Sequence, residues 1–293
     1  MKRGATPRKS VRLAVVGDVH LRWNDADVEY FDDSDYDAVI FVGDIGSYRH
    51  KHTLEVARSI SRLRKPALFV PGNHDGVVAP QLLAEVLRND VAVWLMSPLQ
   101  PHLFEQLSGA LGDVTAAGYS HHRVGDVTLI VGRPHSMGGS YIAYAPLIER
   151  RYGIRSMEES AARLKALVDQ TGDERIVFVA HNGPTGLGQH RTDIWGCDFK
   201  PGAGDFGDAD LEQAVAYAIE KGKTVLAVIA GHMHHRLKGG GEREWRKNRD
   251  GVLYVNAARV PRIFRRERKK LHHHVRVTVL SDHATAEEVL VPE

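Results

Sequence analysis

Six short runs dense in Val, Ile, Leu and Phe punctuate the chain: VRLAVVGD from Val11, DAVIFVGD from Asp37, PALFVPGN from Pro66, VTLIVG from Val127, RIVFVAHN from Arg175 and TVLAVIAGH from Thr224. Their apolarity is continuous rather than alternating, which predicts strands buried on both faces. Between them the spacing turns helical. Thr53 to Lys65 and Ala79 to Asn89 carry apolar residues at helical intervals, and Ser156 with Glu159 forms a capping-box pattern ahead of a helix that stops at Gly172. Strand alternating with helix predicts an α/β layered fold. Further on, GVLYVNAARV and LHHHVRVTVL read as antiparallel strands joined by the charged RRERKK, with His272, His273 and His274 alternating along the second. The stretch from Asn182 to Asp208 is glycine-rich and aperiodic, yet holds Trp195 and Phe199. That combination predicts an ordered lid or rim. Neither a repeat nor a linker interrupts the pattern, so residues 11–293 are read as one domain after a disordered tail over residues 1–10.

Composition narrows the chemistry. With 293 residues and 43% hydrophobic content, a sizeable core is available, and a net charge of +2 sets up no global field for nucleic acid. The apolar runs are far shorter than the ~18 residues of a membrane span, and no secretory h-region follows the basic N-terminus. No membrane partner and a cytoplasmic location are therefore expected. Seventeen histidines stand against a single cysteine, Cys197, which excludes an intramolecular disulfide and any thiolate cage. A metal site here must use nitrogen and oxygen ligands.

Those ligand types gather where the apolar runs end. The first run ends in GDVH (Asp18, His20), the second in GD (Asp44) and the third in GNHD (Asn73, His74). The fifth ends in AHNG (His181) and the sixth in AGHMHH (His232, His234). Ligands of open α/β sheets bind outside the carboxyl ends of strands, where the loops converge. One GD is an ordinary Asx turn. Five strand exits delivering carboxylate, amide and imidazole together point to a common site.

The ordered set D-x-H, GD, GNHD, H and GHxH resembles the calcineurin-like metallophosphoesterase superfamily, and it spans Asp18 to His234. The stretches GRPHSMGG, AHNGPTGLG, DFGD and NAARVPRI extend the resemblance to a branch found in bacteria, cyanobacteria and plants. The resemblance implies a two-sheet β-sandwich flanked by α-helices, with two metal ions at the C-terminal ends of the central strands. It implies that Asp18, His20 and His234 hold one ion, that Asn73, His181 and His232 hold the other, and that Asp44 bridges both. Oxygen and imidazole donors suit Mn²⁺ first, with Fe or Zn²⁺ as alternatives. The implied reaction is hydrolysis of a phosphomonoester or phosphodiester by a metal-bridging hydroxide, with His74 as general acid. Asp75 is read either as a helix cap or as a group orienting an imidazole. Arg133, His135 and Asn182 are expected to bind substrate, a small phosphoester or nucleotide. Two other readings stand beside this one: a nuclease of the same superfamily, for which Arg262 to Lys270 is the candidate phosphate contact, and a non-enzymatic, metal-stabilised protein-binding scaffold.

Overall fold

In a computed structural model, described over residues 10–172, 175–200, 202 and 204–293, two mixed sheets pack face to face with helices outside both. Apart from Ser10, the tail expected over residues 1–10 lies outside the described residues. The chain begins with β1 (Val11–Val16), α1 (Asp25–Asp33), β2 (Ala38–Phe41), α2 (His50–Ile60) and β3 (Ala67–Phe69). It then makes a helical excursion through α3 (Ala79–Val86), α4 (Asp90–Met96) and α5 (Gln100–Ala110) before β4 (Thr115–Ala116). The second sheet is built by β5 (Ser120–Val124), β6 (Val127–Val131), α6 (Ala145–Tyr152), α7 (Met157–Asp169), β7 (Arg175–Val179), α8 (Ala209–Glu220), β8 (Thr224–Ala230), β9 (Arg246–Arg249) and β10 (Val252–Asn256). The chain returns to the first sheet with β11 (Ile263–Arg266), β12 (Lys269–Val279) and β13 (Ala284–Pro292).

Strands β1 to β4 run parallel, as do β6, β7, β8 and β10. The continuous apolarity of the strands follows from the layering. Along β1, Leu13 and Val15 enter the core between the sheets, while Ala14 and Val16 face the outer layer with residues of α2 and α5. The outer face of the second sheet is covered by Leu164, Leu167 and Val168 of α7 and Leu211, Ala214 and Val215 of α8. Fully burying one such branched side chain stabilises the fold by about 1.5–3 kcal/mol. Among the described residues, no helix is long and apolar enough to cross a membrane.

Local chemistry departs from expectation in three places. Ser156 caps α7 by accepting from the Glu159 N–H at 3.2 Å, but the Glu159 carboxylate accepts from the Arg155 N–H at 2.7 Å, one residue before the cap. Strand β10 does not pair with β12: it lies parallel to β8 in the other sheet, and the charged turn instead joins β11 to β12. Three-dimensional pairing, invisible to local periodicity, decides this. His272, His273 and His274 do lie along one strand, yet all three are buried. His272 meets Asp27 at 2.9 Å, His273 meets Glu288 at 3.0 Å and His274 meets the Tyr36 hydroxyl at 2.7 Å. Arg262, counted in the basic run, is also interior and pairs with Asp27 at 2.8 Å.

Glu85 of α3 offers a pH-dependent test of the packing. It is 4% exposed, accepts from the Tyr144 N–H at 2.9 Å, and burial pushes its carboxyl up to about 7 from 4.5. A carboxyl whose pKa is higher in the folded than in the unfolded chain favours the fold most at low pH. Stability is lost as pH rises from the unfolded pKa through about 7. Glu85→Gln keeps the acceptor without the charge. It is expected to raise stability at pH 8 by roughly 1–3 kcal/mol, with a much smaller gain at pH 5, as read by thermal melts at both pH values.

Candidate metal centre

The parallel strands of both sheets end at the same edge. There β1 delivers Asp18 and His20, β2 delivers Asp44, β3 delivers Asn73 and His74, β7 delivers His181, and β8 delivers His232 and His234. The backbone bends sharply to do so. Asp18, His20, Asp44 and His232 all take positive φ, between 42° and 68°, a conformation that costs energy outside glycine and concentrates at functional sites.

The glycine before a ligand has a steric reason. A Cβ on Gly43 would overlap His181 Nδ1, and one on Gly72 would overlap Asp44 Oδ1. Each glycine thus makes room for a ligand from another strand.

Two groups of donors result. One ligand atom each from Asp18, His20 and His234 lies within 4.8 Å of the others, and the same holds for Asp44, His181 and His232. In the first group, the Nε2 atoms of His20 and His234 are 3.3 Å apart, and His234 Nε2 is 3.2 Å from Asp18 Oδ2. In the second, His181 Nε2 lies 3.2 Å from His232 Nδ1 and 3.0 Å from Asn73 Oδ1. Asp44 stands between the groups, with Oδ2 at 3.9 Å from His20 Nε2 and Oδ1 at 3.6 Å from His181 Nε2. Imidazole nitrogens, carboxylates and an amide oxygen converging at these separations fit a divalent cation's need for lone pairs. The tautomer of His181 is fixed from behind: its Nδ1–H donates to the Val42 carbonyl at 2.7 Å, leaving the Nε2 lone pair free to face the group.

Asp75 neither caps a helix nor touches an imidazole. Its buried carboxylate accepts from the backbone N–H groups of Asp44 at 2.7 Å, Gly72 at 2.8 Å and Gly46 at 3.0 Å. It therefore clamps the β2 and β3 exits together, fixing Asp44 against Asn73. His74 projects beyond the clamp. Its ring lies edge-on to His20 at 5.1 Å and to Tyr48 at 5.5 Å, and its Nδ1 has no hydrogen-bond partner among the described residues.

Above the metal groups opens a cavity of about 450 Å³ whose lining includes Asp44, Asn73, His74, His232 and His234. Arg133, His135 and Asn182 are absent from that lining, contrary to expectation. Arg133 is 2% exposed, and its guanidinium meets Asp208 at 3.0 Å and Asp210 at 2.9 Å. His135 donates from Nδ1 to the Gly72 carbonyl at 3.0 Å and packs between Phe104 and Tyr144. Asn182 donates to the Phe206 carbonyl at 2.8 Å. Arg133 and His135 are held by these partners, the Asn182 Oδ1 has no hydrogen-bond partner among the described residues, and all three stand outside the cavity lining.

The glycine-rich stretch does form part of that wall, through Asp198, Phe199, Lys200 and Phe206. Trp195 anchors it, fully buried. So does Arg243, which donates to the carbonyls of Arg191 and Asp193, both at 3.0 Å, to that of Gly196, and to that of His234 at 3.0 Å. Asn256 joins the same parts, donating to the Ile194 carbonyl at 3.1 Å and the Met233 carbonyl at 2.6 Å. Nothing in the local sequence marks Asp75, Arg243 or Asn256 for these tasks except their nearness to the GNHD, GHMHH and NAARV stretches.

Comparison with known proteins agrees with the architecture. One solved structure superposes with a TM-score of 0.56 at 11% identity, covering 97% of this chain and 99% of its own, which supports the fold alone. A metallophosphoesterase from Sphaerobacter thermophilus is 14% identical over 96% of this chain and 89% of its own, with a TM-score of 0.34. A predicted phosphoesterase from Streptococcus pneumoniae is 12% identical over 96% and 99%, with a TM-score of 0.30. At such TM-scores neither bears on the fold. No curated protein matches the chain. The family model of the calcineurin-like phosphoesterases matches residues 11–236, which include all seven donors and His74. The chain belongs to the calcineurin-like phosphoesterase family.

Proposed function

We propose that the protein hydrolyses a phosphomonoester or phosphodiester with the help of two divalent metal ions. The observation that carries this reading is the pairing of two donor groups across one carboxylate, Asp44, on the floor of a cavity that His74 also lines. Asp18, His20 and His234 would hold one ion, and Asn73, His181 and His232 the other, with Asp44 shared. Such ions, Mn²⁺ first among them, supply Lewis acidity to phosphate oxygens and lower the pKa of water to near neutrality.

The chain's own residues do the rest. The Asp75 clamp holds Asp44 and Asn73 in register, so the two groups stay at a fixed separation. His74, which lines the cavity beside the donor groups, is placed to hydrogen-bond a departing oxygen and pass it a proton. Phe199 and Phe206 border the site and give it an apolar wall.

The test is hydrolysis of p-nitrophenyl phosphate and bis(p-nitrophenyl) phosphate after Mn²⁺ loading. Turnover of at least one, lost on chelation and regained on adding Mn²⁺, is expected. Turnover that survives full chelation would rule the metal-dependent reading out. The ratio of the two rates then separates monoesterase from diesterase.

A further inference from the structure

The cavity over the metal groups carries more positive charge than one phosphate requires. Arg88, Lys200, Arg236 and Lys238 line it, all exposed at its rim, and among the described residues none forms an ion pair. The one lining carboxylate outside the donor groups, Asp198, is already engaged by Arg243 at 3.1 Å and by the Lys238 N–H at 2.7 Å. Four like charges around one concave surface repel one another, and that repulsion is relieved when an anion enters. In the proposed reaction, ions held by the two donor groups would balance the phosphate that reacts, so these cations are surplus to it.

Aromatic groups sit among the cations. The Arg88 guanidinium lies over the Tyr141 ring at 4.4 Å, and the Phe199 and Phe206 rings meet edge-to-face at 5.1 Å. Phe199 is 45% exposed, leaving an apolar face for a flat group to cover. A second cleft of about 420 Å³ adjoins the first and shares Arg88, Lys200 and Phe206 with it, adding Ser140, Thr185 and Asp205, whose carboxylate already accepts from the backbone N–H groups of Gly186, Gly188 and Gly207. Two cations therefore stand at the junction of two cavities, beside an aromatic wall.

We propose that the site takes a nucleoside diphosphate group. Its terminal phosphate reacts over the metal groups, its other phosphate is held at the junction by Arg88 and Lys200, and its base lies against Phe199 and Phe206. In the reaction, water oxygen bonds to the terminal phosphorus and the bond from that phosphorus to the bridging oxygen breaks. The leaving phosphate takes its proton from His74, giving a nucleoside monophosphate and inorganic phosphate. The fate of the ligand rests on the hydrolytic reading above; its binding does not.

Equilibrium binding separates the two. Mn²⁺-loaded protein is titrated with α,β-methylene-ADP, which cannot be cleaved between its phosphorus atoms, and with the phosphonate analogue of AMP. Charge-assisted contacts to a second phosphate predict at least about tenfold tighter binding of α,β-methylene-ADP. In the Arg88→Ala/Lys200→Ala protein that advantage is expected to vanish while the AMP analogue binds as before. Equal affinities in the wild-type protein, or an advantage that survives the double substitution, would overturn the proposal. So would a single-stranded oligonucleotide that binds more tightly than α,β-methylene-ADP through the same two cations. Discrimination without turnover of any phosphoester would remove the hydrolytic reading and leave the ligand class standing. Turnover of p-nitrophenyl phosphate without discrimination would do the reverse.

Discussion

Replacing His74 by alanine is expected to lower turnover about 10²–10⁴-fold while leaving metal content unchanged, the signature of a lost general acid. The geometry separates the two readouts. His74 lines the cavity beside the donor groups, belongs to neither, and has Nδ1 unpartnered among the described residues. Its backbone N–H still donates to Asp44 Oδ1 at 2.9 Å, and that bond survives the substitution because it does not involve the side chain. The defect should be smaller for substrates whose leaving group needs no proton, such as p-nitrophenyl esters at alkaline pH. Unchanged turnover on a poor leaving group would mean that His74 does not donate the proton. A fall in metal content would instead make it a ligand.

Arg133→Met is expected to cost stability rather than substrate affinity. The substitution leaves Asp208 and Asp210, both buried, without the guanidinium that faces them at 3.0 and 2.9 Å. Breaking a buried pair from one side costs about 3–5 kcal/mol, because the remaining charge has no solvent to turn to. For a chain of this size that corresponds to a fall in Tm of roughly 10 °C. The KM of the protein that remains folded should change little. A raised KM with an unchanged Tm would restore Arg133 to the substrate.

The candidate donors were legible in the sequence because each is a local event: an apolar run, a glycine, then a polar residue. Asp18, Asp44, Asn73, His181, His232 and His234 need only their own strand to be recognised as candidates, and parallel strands bring them to one edge without further information. What the sequence could not show was whatever depends on a distant partner. Arg133 has the chemistry of a phosphate ligand, but Asp210, 77 residues away, claims it first. The Asn182 amide N–H and the His135 Nδ1–H are likewise engaged by the backbone carbonyls of Phe206 and Gly72, although Asn182 Oδ1 has no hydrogen-bond partner among the described residues. Strand β10 reads as one arm of a hairpin until β8 offers it a parallel neighbour. Asp75 was hardest to read, because its three acceptor bonds go to backbone groups, two of them about 30 residues upstream. Helix α1 carries no long apolar stripe and α4 buries none of its residues, so periodicity had little to report there.

The account stands on two metal ions sharing Asp44. Elemental analysis of Mn²⁺-loaded protein, freed of excess metal and run beside Asp44→Ala, tests that most directly. About two ions per wild-type chain, with a clear loss in the variant, is the predicted result for a dinuclear centre bridged by that carboxylate. Saturation at a single ion per chain, or full occupancy without Asp44, would contradict it.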